Sequence, residues 1–108
     1  MILNQITLSN YCLYRGEQTF DLTPVRRGAK NAPIVLFGGM NGGGKTTLLD
    51  DVQLVLYGAR ARCSKRGEKG YEEFLRDSIH HGAAPGEGAS IQLGFRYAAE
   101  GTEHLYEV

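Results

Sequence analysis

The chain has 108 residues, 42% hydrophobic and 22% charged, a balance that suits one globular domain and excludes a disordered or collagen-like chain. Twelve Lys and Arg offset twelve Asp and Glu, so net charge excludes a globally basic nucleic-acid binder and leaves only local basic patches to consider. No apolar run approaches the ~20 residues of a membrane span and no signal-peptide pattern opens the chain; Cys12 and Cys63 form neither a disulfide framework nor a CxxC pair, so reduced thiols in a cytoplasmic protein are expected.

In chain order, Ile6-Thr7-Leu8 has strand character within residues 1–9. After a turn at Arg15-Gly16-Glu17, the run Gln18-Thr19-Phe20-Asp21-Leu22 places Phe20 and Leu22 on one face of a second strand, and the pair reads as a hairpin. Pro24 to Pro33 reads as a loop carrying Arg26, Arg27 and Lys30. Ile34-Val35-Leu36-Phe37 is continuously apolar, which fits a strand buried on both faces as in a parallel α/β sheet. Leu48, Leu49, Val52, Val55 and Leu56 then recur at helical spacing up to Tyr57, and Gly58 supplies a stop.

Residues 59–70 hold five basic residues, Arg60, Arg62, Lys65, Arg66 and Lys69, against the single acid Glu68. The stretch reads as a mobile basic loop with Cys63 exposed in it. Tyr71, Phe74, Leu75 and Ile79 mark one face of a short helix with His80 and His81 in its last turn and Gly82 as its cap. A Gly/Pro/Ala loop covers 82–89. Ile91, Leu93, Phe95 and Tyr97 alternate with polar or small residues as in a half-buried strand. A turn at Glu100-Gly101-Thr102 leads to another strand over 104–108. That strand is not followed by a turn or polar tail, so the sequence reads as part of something longer.

Gly39-Met40-Asn41-Gly42-Gly43-Gly44-Lys45-Thr46 fits G-x-x-x-x-G-K-[ST] between an apolar run and an amphipathic one, the context this phosphate-binding loop requires. Glycines let the backbone approach phosphate oxygens closely. Successive N–H groups at a helix N-terminus form an anion nest. Lys45 supplies a point charge for the β- and γ-phosphates, the Thr46 hydroxyl a hard oxygen ligand for Mg²⁺, and Thr47 reaches the α-phosphate. The other candidates have plainer explanations. Asp50 and Asp51 are neighbours that do not share a helix face, which reads as a solvated surface. His80 and His81 read as favourable charge at a helix C-terminus. The basic loop could touch DNA phosphate or a nucleotide across an interface, against the plain reading of a solvated charge run.

Leu8-Ser9-Asn10-Tyr11, Tyr14-Arg15-Gly16, Gln18-Thr19-Phe20, the P-loop, and Leu48-Leu49-Asp50 through Leu56-Tyr57-Gly58 resemble the start of an SMC-like ATPase, the class of the SMC, RecF, RecN and SbcC heads. Within that class, Gly38 through Leu49, with Tyr71-Glu72-Glu73-Phe74-Leu75 and His80-His81-Gly82, is most similar to the DndD family, the ATPases of DNA phosphorothioate modification. The resemblance implies an α/β P-loop NTPase fold. Residues 1–108 would be the N-terminal half of an ABC-type head, with an antiparallel β subdomain, in a single incomplete domain. It implies that ATP is held by Asn41, Gly42, Gly43, Gly44, Lys45, Thr46 and Thr47, that Lys45 is the catalytic cation, and that Thr46 ligates Mg²⁺. It also implies partners: the C-terminal half of the same head, a second head in an ATP-dependent dimer, other Dnd modification proteins, and DNA. The Walker B carboxylates, Q-loop, signature motif and switch His of the class should lie beyond residue 108, since Gln53 comes too early and no LSGG-type run is present. Several relatives have a nucleotide-holding basic residue where this chain has Cys12, and Arg15 is the residue that could replace it. Three alternatives remain at this stage: an SbcC-like repair ATPase acting with a nuclease, a non-catalytic phosphate-binding module, and a small-molecule kinase. The last is disfavoured by the two antiparallel elements that precede the P-loop.

Overall fold

The computed structural model describes residues 1–28, 30–32, 38, 45–64, 66–84, 86–99 and 101–107. Strand β1 (Ile2–Tyr11) is central in a four-stranded antiparallel sheet of order β2-β1-β5-β6, with β2 at Tyr14–Asp21, β5 at Ser90–Ala99 and β6 at Thr102–Glu107. β3 (Val25–Arg27) and β4 (Lys30–Ala32) form a separate small hairpin. Two helices complete the described elements, α1 at Lys45–Tyr57 and α2 at Tyr71–Ser78, with a single 3₁₀ turn at Gly58–Arg60 after α1.

Strand alternation sets the core. Ile6 pairs with Leu93 across β1 and β5, Leu8 pairs with Ile91, and Ile6, Leu8 and Leu93 are almost wholly buried. Each side chain of this size contributes roughly 1.5–3 kcal/mol when removed from water. Tyr11 at the end of β1, Leu54 of α1, Phe74 of α2, and Ala61 and Cys63 from the segment between the helices join the same cluster. On the β1–β2 side, Thr7 and Thr19 are cross-strand partners whose hydroxyls lie 3.0 Å apart, a pairing that fixes register.

Four sequence expectations are corrected. The first hairpin turns at Cys12-Leu13, not at Arg15-Gly16-Glu17, because Tyr11 pairs directly with Tyr14. Asn10 and Cys12 take positive φ (50° and 49°), and the Asn10 side chain holds the bend, accepting from the Gly16 N–H at 2.9 Å and donating to the Gly88 carbonyl at 3.2 Å. Asn tolerates this left-handed geometry better than most residues. The expected loop from Pro24 to Pro33 contains the β3–β4 hairpin, which turns through Gly28 at φ 63°.

The second helix ends at Ser78, so His80 and His81 are not in its last turn. Ile79 is extended and bridges Tyr11, with Cys12 N–H donating to Ser78 O at 2.6 Å and His80 N–H to Asn10 O at 2.7 Å. Backbone groups that another helical turn would use are taken by β1 instead. Finally, α1 buries more than the face its aliphatic residues mark, for Leu48, Val52, Val55 and Leu56 pack against the core as expected while Leu49 does not. Its buried residues are Thr47, Asp50, Asp51 and Leu54, whereas Leu49 is 70% exposed. The expected strand Ile34–Phe37 lies outside the described residues.

Candidate functional site

The first turn of α1 is the point where the phosphate-binding sequence meets described structure. Lys45 opens the helix, and no acidic residue lies in its first turn. The positive end of the helix dipole is therefore uncompensated by a local carboxylate. Thr46 is exposed and Thr47 buried. Asn41, Gly42, Gly43 and Gly44 lie outside the described residues. Thr47 reaches a small cavity of about 130 Å³ that it shares with Tyr11, Cys12, Asp50 and Ser78. Cys12 thus stands beside the start of α1. Arg15 is exposed and packs near Gly82, where an added Cβ would sit 3.8 Å from its Cδ, and it is not on this cavity.

The helical carboxylates, expected on a solvated face, are both buried, Asp50 at 9% exposure and Asp51 at 0%. Asp50 has work to do. Its carboxylate accepts from the Ser64 hydroxyl at 2.7 Å and from the Ser64 N–H at 3.1 and 3.2 Å, and its carbonyl accepts from the Cys63 thiol at 3.6 Å. The segment after α1 is therefore tied back to that helix. Asp51 has no such partner, for neither carboxylate oxygen makes a hydrogen bond. Burial pushes its carboxyl up to about 7, the adjacent Asp50 charge adds to the rise, and the nearby Tyr11 hydroxyl opposes it. Burial likewise raises the Tyr11 phenol well above its ordinary value. Sequence reasoning missed this pair because each Asp sits among residues of helical spacing, and only packing against Tyr11 and residues 61–64 shows which way they point.

The basic loop is also corrected. Cys63 is buried, and burial followed by the Asp50 charge pushes its thiol up, which makes it a weak nucleophile. Arg66 donates through Nη1 to the carbonyls of Ala59 (2.7 Å) and Ala61 (3.2 Å) and through Nε to that of Lys69 (3.4 Å), and its guanidinium lies 5.7 Å from the centre of the Tyr71 ring. Lys69 forms an ion pair with Asp77 at 2.6 Å. The described part of the segment is a braced structure, not a free loop. His80 and His81 stack on one another with ring centres 4.6 Å apart, and no cluster of three His, Cys, Asp or Glu suited to a metal occurs among the described residues.

The described residues form an antiparallel sheet backed by a helix, and the sequence leading into that helix is the glycine-rich G-K-T run. A family model for the AAA domain matches residues 5–103, and the chain belongs to that family, one of ATP-binding ATPase heads of the SMC-like, ABC type. No curated protein and no solved structure matches the chain. Members of the family use ATP and Mg²⁺. The donor set suits both: an anion-favouring helix start without carboxylates, and the exposed Thr46 as a hard oxygen donor. No helix among the described residues is long and apolar enough to cross a membrane.

Proposed function

We propose that this chain is the ATP-binding N-terminal segment of a DNA-directed SMC-like ATPase head acting in DNA phosphorothioate modification. The observation that carries the ATP-binding part is the run Gly39–Thr46 passing directly into α1, whose first turn holds Lys45 and Thr46 and no acid. The DndD-like sequence around it supports the pathway. In this reading Asn41, Gly42, Gly43 and Gly44 offer main-chain N–H groups to phosphate oxygens, Lys45 adds fixed positive charge at the β- and γ-phosphates, and Thr47 closes the α-phosphate end. Thr46 holds Mg²⁺, which when bound neutralises phosphate charge during hydrolysis. The work of these residues is positioning and electrostatic stabilisation.

Cys12 cannot supply charge to the nucleotide, so cationic contacts beyond Lys45 come from Arg15 or from another part of the assembly. The exposed Leu49 and Tyr57 of α1 suit a surface that the C-terminal half of the head covers. A second head, the other Dnd proteins and DNA complete the proposed assembly, which works in the cytoplasm. The test is isothermal calorimetry of ATP–Mg²⁺ binding to the full-length protein and to Lys45→Ala. Removing the charge-assisted contact should cost roughly 1.5–3 kcal/mol of binding, and ATP affinity unchanged in Lys45→Ala refutes the reading.

A further inference from the structure

The segment between the helices alternates. Arg60 is exposed, Ala61 buried, Arg62 exposed, Cys63 buried and Ser64 exposed. Ala61 is extended, at φ −60° and ψ 137°. Arg60 closes the 3₁₀ turn and Arg62 follows the extended Ala61, and with Ala61 and Cys63 buried both arginines are left exposed on the segment. The two arginines open onto a broad hollow of about 550 Å³, completed by Arg66 and Lys69.

The charges in this hollow are not equivalent. Arg66 is turned inward onto backbone carbonyls and Lys69 is paired with Asp77. Among the described residues, neither Arg60 nor Arg62 has an acidic partner. A merely solvated charge run would not need its backbone fixed. Here Asp50 holds Ser64, Arg66 bridges Ala59, Ala61 and Lys69, and two tight turns close Cys63 to Arg66 and Arg66 to Lys69. The cost of ordering is met on folding, which leaves a preorganised cationic surface.

We propose that Arg60 and Arg62 form a binding site for the phosphodiester backbone of duplex DNA. The choice of DNA over other polyanions rests on the reading of the protein as DNA-directed, whereas the site itself does not depend on the P-loop. Such contacts position a duplex without reading its sequence, and each phosphate neutralised adds about 0.9 to the slope of log affinity against log salt.

The experiment measures binding of a fluorescein-labelled random-sequence duplex to the full-length protein, without nucleotide, by anisotropy at several salt concentrations. The double variant Arg60→Gln/Arg62→Gln should lower the salt slope by about 2, so that the affinity lost between 50 and 200 mM salt shrinks by about tenfold. Arg60→Lys/Arg62→Lys should keep the slope, and Arg76→Gln, which removes an arginine on α2, should leave it unchanged. Circular dichroism confirms that each variant is folded, and the Lys pair carries the test if the Gln pair is not. An unchanged slope in the folded Gln variant overturns the proposal, as does a Lys pair that loses DNA binding while folded, or an equal fall in Arg76→Gln, which would mark a net-charge effect. Loss of inorganic triphosphate binding with DNA binding intact overturns the choice of ligand. ATP calorimetry on the same proteins separates the two readings: a wild-type chain that binds DNA through Arg60 and Arg62 but never binds ATP refutes the proposed function and leaves this site standing.

Discussion

Asp51 offers the sharpest check on the packing around α1. Its carboxylate is fully buried with no hydrogen-bond partner, and its carboxyl is raised from 3.8 to about 7. Because the folded-state value lies above the unfolded one, the native state keeps a proton that the unfolded state has already lost. Any stability linked to that proton is fully present below about pH 4 and declines as pH rises towards 7. A rise from 3.8 to about 7 corresponds to about 4 kcal/mol lost once the pH exceeds both values. Asp51→Asn has the same shape and stays neutral at every pH. Its unsatisfied amide adds a roughly constant penalty of about 1–3 kcal/mol, which drops out when only the change with pH is followed. Stability of variant minus wild type should therefore climb by about 4 kcal/mol between about pH 4 and about pH 8. Equilibrium urea unfolding, followed by tyrosine emission because the chain has six Tyr and no Trp, reads this directly. A difference that stays flat across that range refutes the buried, unpartnered carboxylate.

Two further outcomes follow from the core and from the brace behind the basic segment. Leu93→Ala removes a fully buried side chain opposite Ile6 and should cost about 2–5 kcal/mol, seen as a lower urea midpoint with little change in slope; a midpoint that does not move would mean the β1–β5 face is not the core. Asp50→Ala deprives the Ser64 hydroxyl and N–H of their acceptor, a loss of roughly 1.5–3 kcal/mol, so amide exchange over residues 63–69 should speed up by about ten- to a hundredfold by mass spectrometry, and unchanged protection there would show that the brace is not what orders the segment.

The sequence by itself determined the local patterns. Alternation at Ile91, Leu93, Phe95 and Tyr97 was enough to locate β5, since period-two burial needs only one solvated face. The helix from Lys45 to Tyr57 was legible from its apolar spacing, and its end from Gly58, whose φ of 53° suits glycine. The G-x-x-x-x-G-K-T pattern could be read as a motif because a phosphate nest is written in consecutive residues, and its residues 39–44 lie outside the described structure. Tertiary structure alone decided what those elements face. Helical spacing marked Leu48, Leu49, Val52, Val55 and Leu56 as the inner face, and all but Leu49 pack against the core; that Asp50 and Asp51 are buried as well follows only from Ser64 and Tyr11, which meet the helix from segments distant in the chain. The last turn of the second helix looked complete with His80 and His81, but β1 claims its backbone groups at Ser78 and His80. The basic run read as solvated because charge composition carries no information about Ala61 and Cys63 packing beneath it. Burial of those two small side chains in the core turns a charged loop into a fixed surface, and that packing arises only when both helices close over the sheet.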